Sequence, residues 1–234
     1  MRISLLLLIL LSAGIKALAQ NGQAASASGT LEEVLTSLPQ TRPSTSTSQD
    51  SPYLYTEHRY LDAAGSGIIL QNSLPKGGGS IEPRDIPGFT LPDGTYYSFG
   101  LFWTRVINKT ESPLTFTLHF PADSFPASAT SGSHFKLMVP QDTMRTDRLD
   151  MYNYGATGLR PFVEANFYQP STLRRTVAPQ EETAFFVTLL LHMPEGNGAI
   201  RSELTAKGQA LQYHINLGPQ GEMVFPVGKW VLSE

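Results

Sequence analysis

The side chains best suited to holding a ligand are concentrated between residues 150 and 168. Asp150, Tyr152, Asn153, Tyr154, Arg160, Phe167 and Tyr168 mix flat aromatic faces with hydrogen-bonding groups. The passage lacks strand periodicity and reads as loop, and loops carried on a rigid scaffold are where binding residues gather. A sugar ring would stack on Tyr152 or Tyr154 while Asn153 and Asp150 bond its hydroxyls. Asp150, Tyr152, Asn153, Tyr154, Arg160 and Tyr168 are therefore the expected ligand contacts. The same aromatics would also serve to plug the open end of a folded domain. The two readings differ in whether the tyrosine rings stay wet or are buried.

Other chemistries find less support. The chain has no cysteine and no Gly-x-Ser-x-Gly elbow, so no nucleophile is in view and no catalytic residue is expected. Asp142, Asp147 and Asp150 stand beside Arg145 and Arg148, where surface ion pairing explains them better than the facing carboxylates of a glycosidase. His119, His192 and His214 fall in strand-like segments and would need neighbouring strands to share a zinc ion. No His-x-His or His-x3-His pair supports that, and they read as half-exposed strand histidines with no metal or cofactor. Lys76-Gly77-Gly78-Gly79 lacks the spacing and the Lys-Ser/Thr of a phosphate-binding loop and reads as a turn.

The scaffold that positions these loops is organised around residues 96–120, YYSFGLFWTRVINKTESPLTFTLHF. Leu114, Phe116, Leu118 and Phe120 alternate with Thr115, Thr117 and His119, which puts the first set on one face of a strand. Tyr97, Phe99, Leu101, Trp103 and Ile107 line one face of the preceding strand. Phe102 and Val106 make its second face apolar too, as in a central strand. The short polar connection 108–113 suggests that the two pair as a hairpin. Further strands are expected over 68–71, 134–139, 173–177, the doubly apolar run 183–193, 200–206, 211–217, 223–227 and 229–232, with a short helix near 160–167 opened by Pro161. The pattern predicts an all-β domain of two packed antiparallel sheets. The strand, Pro-x-Glu turn and apolar strand at 177–187 resembles a turn common in immunoglobulin-like and fibronectin-like sandwiches. It covers about a twentieth of the chain.

Residues 1–19 carry Arg2, an apolar run from Ile3 to Leu11 and Ala17-Leu18-Ala19, the pattern of a cleaved export signal; Lys16 interrupts the run before it could span a bilayer. Residues 20–52 read as a low-complexity linker with one short amphipathic helix, capped at Thr30-Leu31-Glu32-Glu33 and stopped by Pro39. The folded domain is expected over 53–234. Cleavage would leave 15 basic against 20 acidic residues, a net charge of −5, which argues against a nucleic-acid or anionic-membrane surface. The expected protein is a periplasmic or extracellular non-catalytic module that binds another envelope or extracellular protein. The alternative is a carbohydrate-binding module, or in second place a glycoside hydrolase, using the 150–168 loops.

Overall fold

A computed structural model of the chain describes residues 52–77, 81, 88–127, 132–193, 199–218 and 221–233. The export segment and the linker helix expected near residue 30 lie outside the described residues. The strands are β1 (Leu54–Leu61), β2 (Gly67–Ser73), β3 (Lys76–Gly77), β4 (Phe89–Thr90), β5 (Tyr96–Asn108), β6 (Leu114–Phe120), β7 (Phe125–Pro126) and β8 (His134–Met138). After α1 (Leu159–Asn166) come β9 (Ser171–Val177), β10 (Glu182–His192), β11 (Arg201–Lys207), β12 (Ala210–Asn216) and β13 (Glu222–Leu232). They form two antiparallel sheets packed face to face. The first runs β1-β2-β5-β10-β8-β7, with β3 and β4 also on β5, and the second runs β11-β12-β13-β6-β9. No helix among the described residues is long and apolar enough to cross a membrane.

The alternation in β6 does what its period of two requires. Leu114, Phe116, Leu118 and Phe120 are all buried in the core between the sheets, facing Phe102 and Val106 of β5 and Phe185, Val187 and Leu189 of β10. β5 and β6 are not a hairpin, however. β5 pairs with β2 and β10, while β6 pairs with β13 and β9 in the other sheet. The connection is an arch that carries the chain from one sheet to the other. An apolar face on each strand is better buried by stacking the strands across the core than by laying them side by side. Asn108, fully buried, fixes the arch: its Nδ2 donates to the carbonyls of Ser112, Val177 and Ala178, and its Oδ1 accepts from the N–H and hydroxyl of Thr110.

The first sheet is apolar on its outer face as well. Tyr97, Phe99, Leu101 and Trp103 of β5 and Ala184, Phe186 and Leu190 of β10 form a second core. It is closed by Phe89, Leu91, Met144, Tyr154 and the inner side of α1, Leu159 and Val163. The molecule is thus two sheets and a cover, and the cover is the segment that lacks strand periodicity.

Buried amides also tie the sheets together. Asn72 of β2 donates through Nδ2 to the Leu204 carbonyl and Thr56 Oγ1, and its Oδ1 accepts from Leu204 N–H and Thr104 Oγ1. Leu204 lies on the edge strand β11, so Asn72 supplies that edge with the donor and acceptor of a missing strand. The hydroxyl of Tyr60 accepts from Ala206 N–H on the same edge. At the opposite edge, on β9, Ser171 Oγ accepts from Val139 N–H and Gln141 Nε2 donates to the Thr172 carbonyl.

β13 runs unbroken where two strands are expected, because a bulge at Val227 accommodates the change of inward parity from Met223, Phe225 and Val227 to Trp230 and Leu232. Gly228 sits where β13 leaves β12 for β6, and a Cβ there would meet the Thr117 carbonyl at 1.8 Å. Two substitutions test this account by urea denaturation. Phe116→Ala should cost roughly 3–5 kcal/mol while the outward Thr117→Ala costs well under that. Asn72→Ala strands the Leu204 N–H, its carbonyl and the Thr104 hydroxyl, and should cost roughly 2–4 kcal/mol.

Candidate functional site

The six expected ligand contacts fall in the cover and divide by exposure. Tyr154 is fully buried and Asn153 is 2% exposed, whereas Tyr152 is 45% and Tyr168 68% exposed. Tyr154 packs edge-on to Tyr53, with ring centroids 5.7 Å apart, and to Trp103; its hydroxyl donates to the Leu74 carbonyl at 2.6 Å. Burial pushes its phenol up to about 12, partly offset by a hydrogen bond with Ser73. Asn153 Nδ2 donates to the Ile81 carbonyl at 2.7 Å. Asp150 accepts from the Tyr53 hydroxyl at 2.9 Å. Arg160 lies one turn from Glu164 on α1, 3.8 Å away. Tyr168 stacks edge-on to Phe167, which itself belongs to the second core.

Placing Tyr154 and Asn153 inward requires an unusual backbone. Asn153 (φ 45°), Tyr154 (φ 55°) and Gly155 (φ 72°) follow one another in the left-handed region. Two L-residues there cost about 1–2 kcal/mol each, so the surroundings must hold them. Lys76 does much of the holding: its Nζ donates to the carbonyls of Leu149 and, at 2.9 Å, Met151, and lies 4.2 and 4.5 Å from the ring centroids of Tyr53 and Tyr154. Burial lowers the Lys76 pKa, against the nearby Asp150 charge. With 149, 150, 153 and 154 fastened, Met151 (53% exposed) and Tyr152 are turned out to solvent. The role of Lys76 is invisible in the sequence, where it introduces a glycine-rich turn 73 residues before Leu149.

The three strand histidines do not converge. His119 on β6 bonds Thr172 Oγ1, and His192 lies in the other sheet beside His134, with ring centroids 4.9 Å apart. His134 Nδ1–H donates to the Gly132 carbonyl, so its Nε2 accepts from the Tyr97 hydroxyl at 2.8 Å. His192 donates to the Tyr96 carbonyl. Both imidazoles are structural pins at the end of the second core.

A polar cluster not anticipated from the sequence lies on the outer face of the second sheet. Glu203 of β11 stands directly across from His214 of β12, and Glu222 begins β13 beside them. His58 Nε2, 7% exposed on β1, reaches Glu203 Oε2 at 2.9 Å. Burial alone would raise the Glu203 carboxyl. Hydrogen bonds with His58 and Thr56 and the charges of His58 and His214 outweigh it and hold the carboxyl below its usual range. The two-residue turn at Gly208-Gln209 fixes the pairing of 203 with 214, so this pair was readable; His58 and Glu222 join only through the tertiary fold. No protein-family model and no curated protein matches the chain.

Two measurements check these assignments. Tyr154→Ala should lower the urea midpoint strongly, by roughly 3–5 kcal/mol, whereas Tyr152→Ala should stay within about 0.5 kcal/mol. Because the folded state holds Glu203 below its unfolded pKa, its contribution is complete above the ordinary glutamate range, about pH 4.3. It is lost as the pH falls through the folded value. The stability of Glu203→Gln should therefore fall less steeply than wild type below that pH.

Proposed function

We propose that the protein is an exported, non-catalytic interaction module whose partner, another envelope or extracellular protein, docks on the turn at residues 149–155. One observation carries this reading: a strained left-handed turn, bolted down by Lys76, Tyr53, Asn153 and Tyr154, is spent on presenting Met151 and Tyr152 to solvent. Backbone strain gathers at functional sites, and a preset loop loses little entropy on docking. Methionine and tyrosine are enriched in the cores of protein interfaces. The carbohydrate reading keeps the exposed rings of Tyr152 and Tyr168. It loses Asn153 to burial, and Asp150 already accepts from Tyr53. Export rests on the sequence of residues 1–19.

Photo-crosslinking from position 152, compared with position 231 on the outer face of the second sheet, tests the proposal in an extract of envelope and culture medium. A discrete protein adduct should form from 152 and not from 231, and should be outcompeted by the unlabelled protein but not by Met151→Ala/Tyr152→Ala. Adducts of the same pattern from both positions would overturn it. Saturable binding on a glycan array, lost in Tyr152→Ala with an unchanged urea midpoint, would replace it with the carbohydrate reading.

A further inference from the structure

Glu203, His214 and Glu222 bring three ligand atoms together where β11, β12 and β13 meet, all within 4.8 Å of one another. Parity puts them on the outer face, since their neighbours Leu204, Tyr213 and Ile215 go to the core. Among them lies a cavity of about 20 Å³, walled also by Tyr55, Arg201 and Asn216. That is room for one water molecule or one small cation.

We propose that Glu203, His214 and Glu222 bind a divalent first-row transition cation. One imidazole and two carboxylates suit such an ion and leave a fourth position open. His214 is already oriented for the task. Here Nδ1–H donates to Glu222 Oε1 at 3.1 Å while Nε2 lies 2.8 Å from Thr205 Oγ1; with a cation in place of that proton, Nε2–H would donate to Thr205 and leave the Nδ1 lone pair facing the ion. A partner that fixes the tautomer in this way is the usual support of a metal-bound histidine. Glu203 has a corresponding support in His58, which reaches it from the other sheet. Ligand atoms about 2.0–2.2 Å from one tetrahedral ion sit roughly 3.5 Å apart, so the site closes by small rotations of two glutamate side chains. Two carboxylates face the cavity, and the Arg201 guanidinium beside it is turned over the Tyr55 ring at 5.9 Å and bonded to the Ile200 carbonyl.

Calorimetric titration of the whole, chelator-stripped protein with zinc chloride should show one saturable site of micromolar affinity. Cobalt loading should give the visible absorption of a four- or five-coordinate ion. Glu222→Gln, at a half-exposed side chain, should leave circular dichroism unchanged and weaken zinc binding at least about tenfold, as should His214→Gln. His119→Ala, on another strand of the same sheet, should change nothing. Absence of saturable uptake, or equal uptake by wild type and folded Glu222→Gln, would overturn the proposal.

Discussion

A sheet that is apolar on both faces has to be covered twice, and this constraint governs the whole molecule. β5 and β10 lie side by side at the centre of the first sheet, and between them they direct aromatic and aliphatic side chains to both sides. The second sheet buries one side in the manner of any sandwich. Among the described residues no third sheet meets the other side. It is closed by residues 144–167, whose buried members are spaced by the shape of the surface beneath them and by no secondary-structure period. Loop, left-handed turn and short helix are the forms a chain takes when it follows another surface.

Inside that frame particular polar contacts fix how the parts meet. Asn72 and Asn108 sit in the most apolar parts of the molecule with their amides fully engaged, one joining the two sheets and one holding the arch between them. A buried amide without partners would be costly, so each can be accommodated only where all its neighbours are in place. The two residues therefore select the arrangement of the sheets as well as stabilising it. Lys76 has the same character on the cover side, where its ammonium is shared between two carbonyls and two aromatic rings.

Where structure follows local periodicity, it was legible. The inward set of β6, the two-sided burial of β10, the helix at 159–166 and the two-sheet class all follow from alternation, turn residues and Pro161. β1 escaped because Tyr55, Glu57, His58 and Arg59 blur its alternation, and each of its faces turns out to be partly covered. The false hairpin at 108–113 shows the limit of a short connection as evidence. Its length permits a turn within one sheet or an arch between two, and only the buried bonds of Asn108 decide. The candidate site was legible as a place and not as an arrangement. Sequence marked 150–168 as rich in aromatic and polar side chains, but the sorting of Tyr154 inward and Tyr152 outward depends on two backbone angles and a lysine distant in the chain.

The treatment of the second sheet's borders has a consequence for how the protein behaves in a crowd. A sheet border ordinarily offers unpaired backbone groups to any passing chain, and in a cysteine-free protein no crosslink is available to limit what joins. Here Asn72 and Tyr60 occupy the β11 border, and residues 139–141 occupy part of the β9 border. Growth of the second sheet by templated strand addition, the first step toward a fibre, would have to break buried bonds before it could make exposed ones. The same amide that sets the two sheets against each other thus also stands in the way of strand addition at the β11 border.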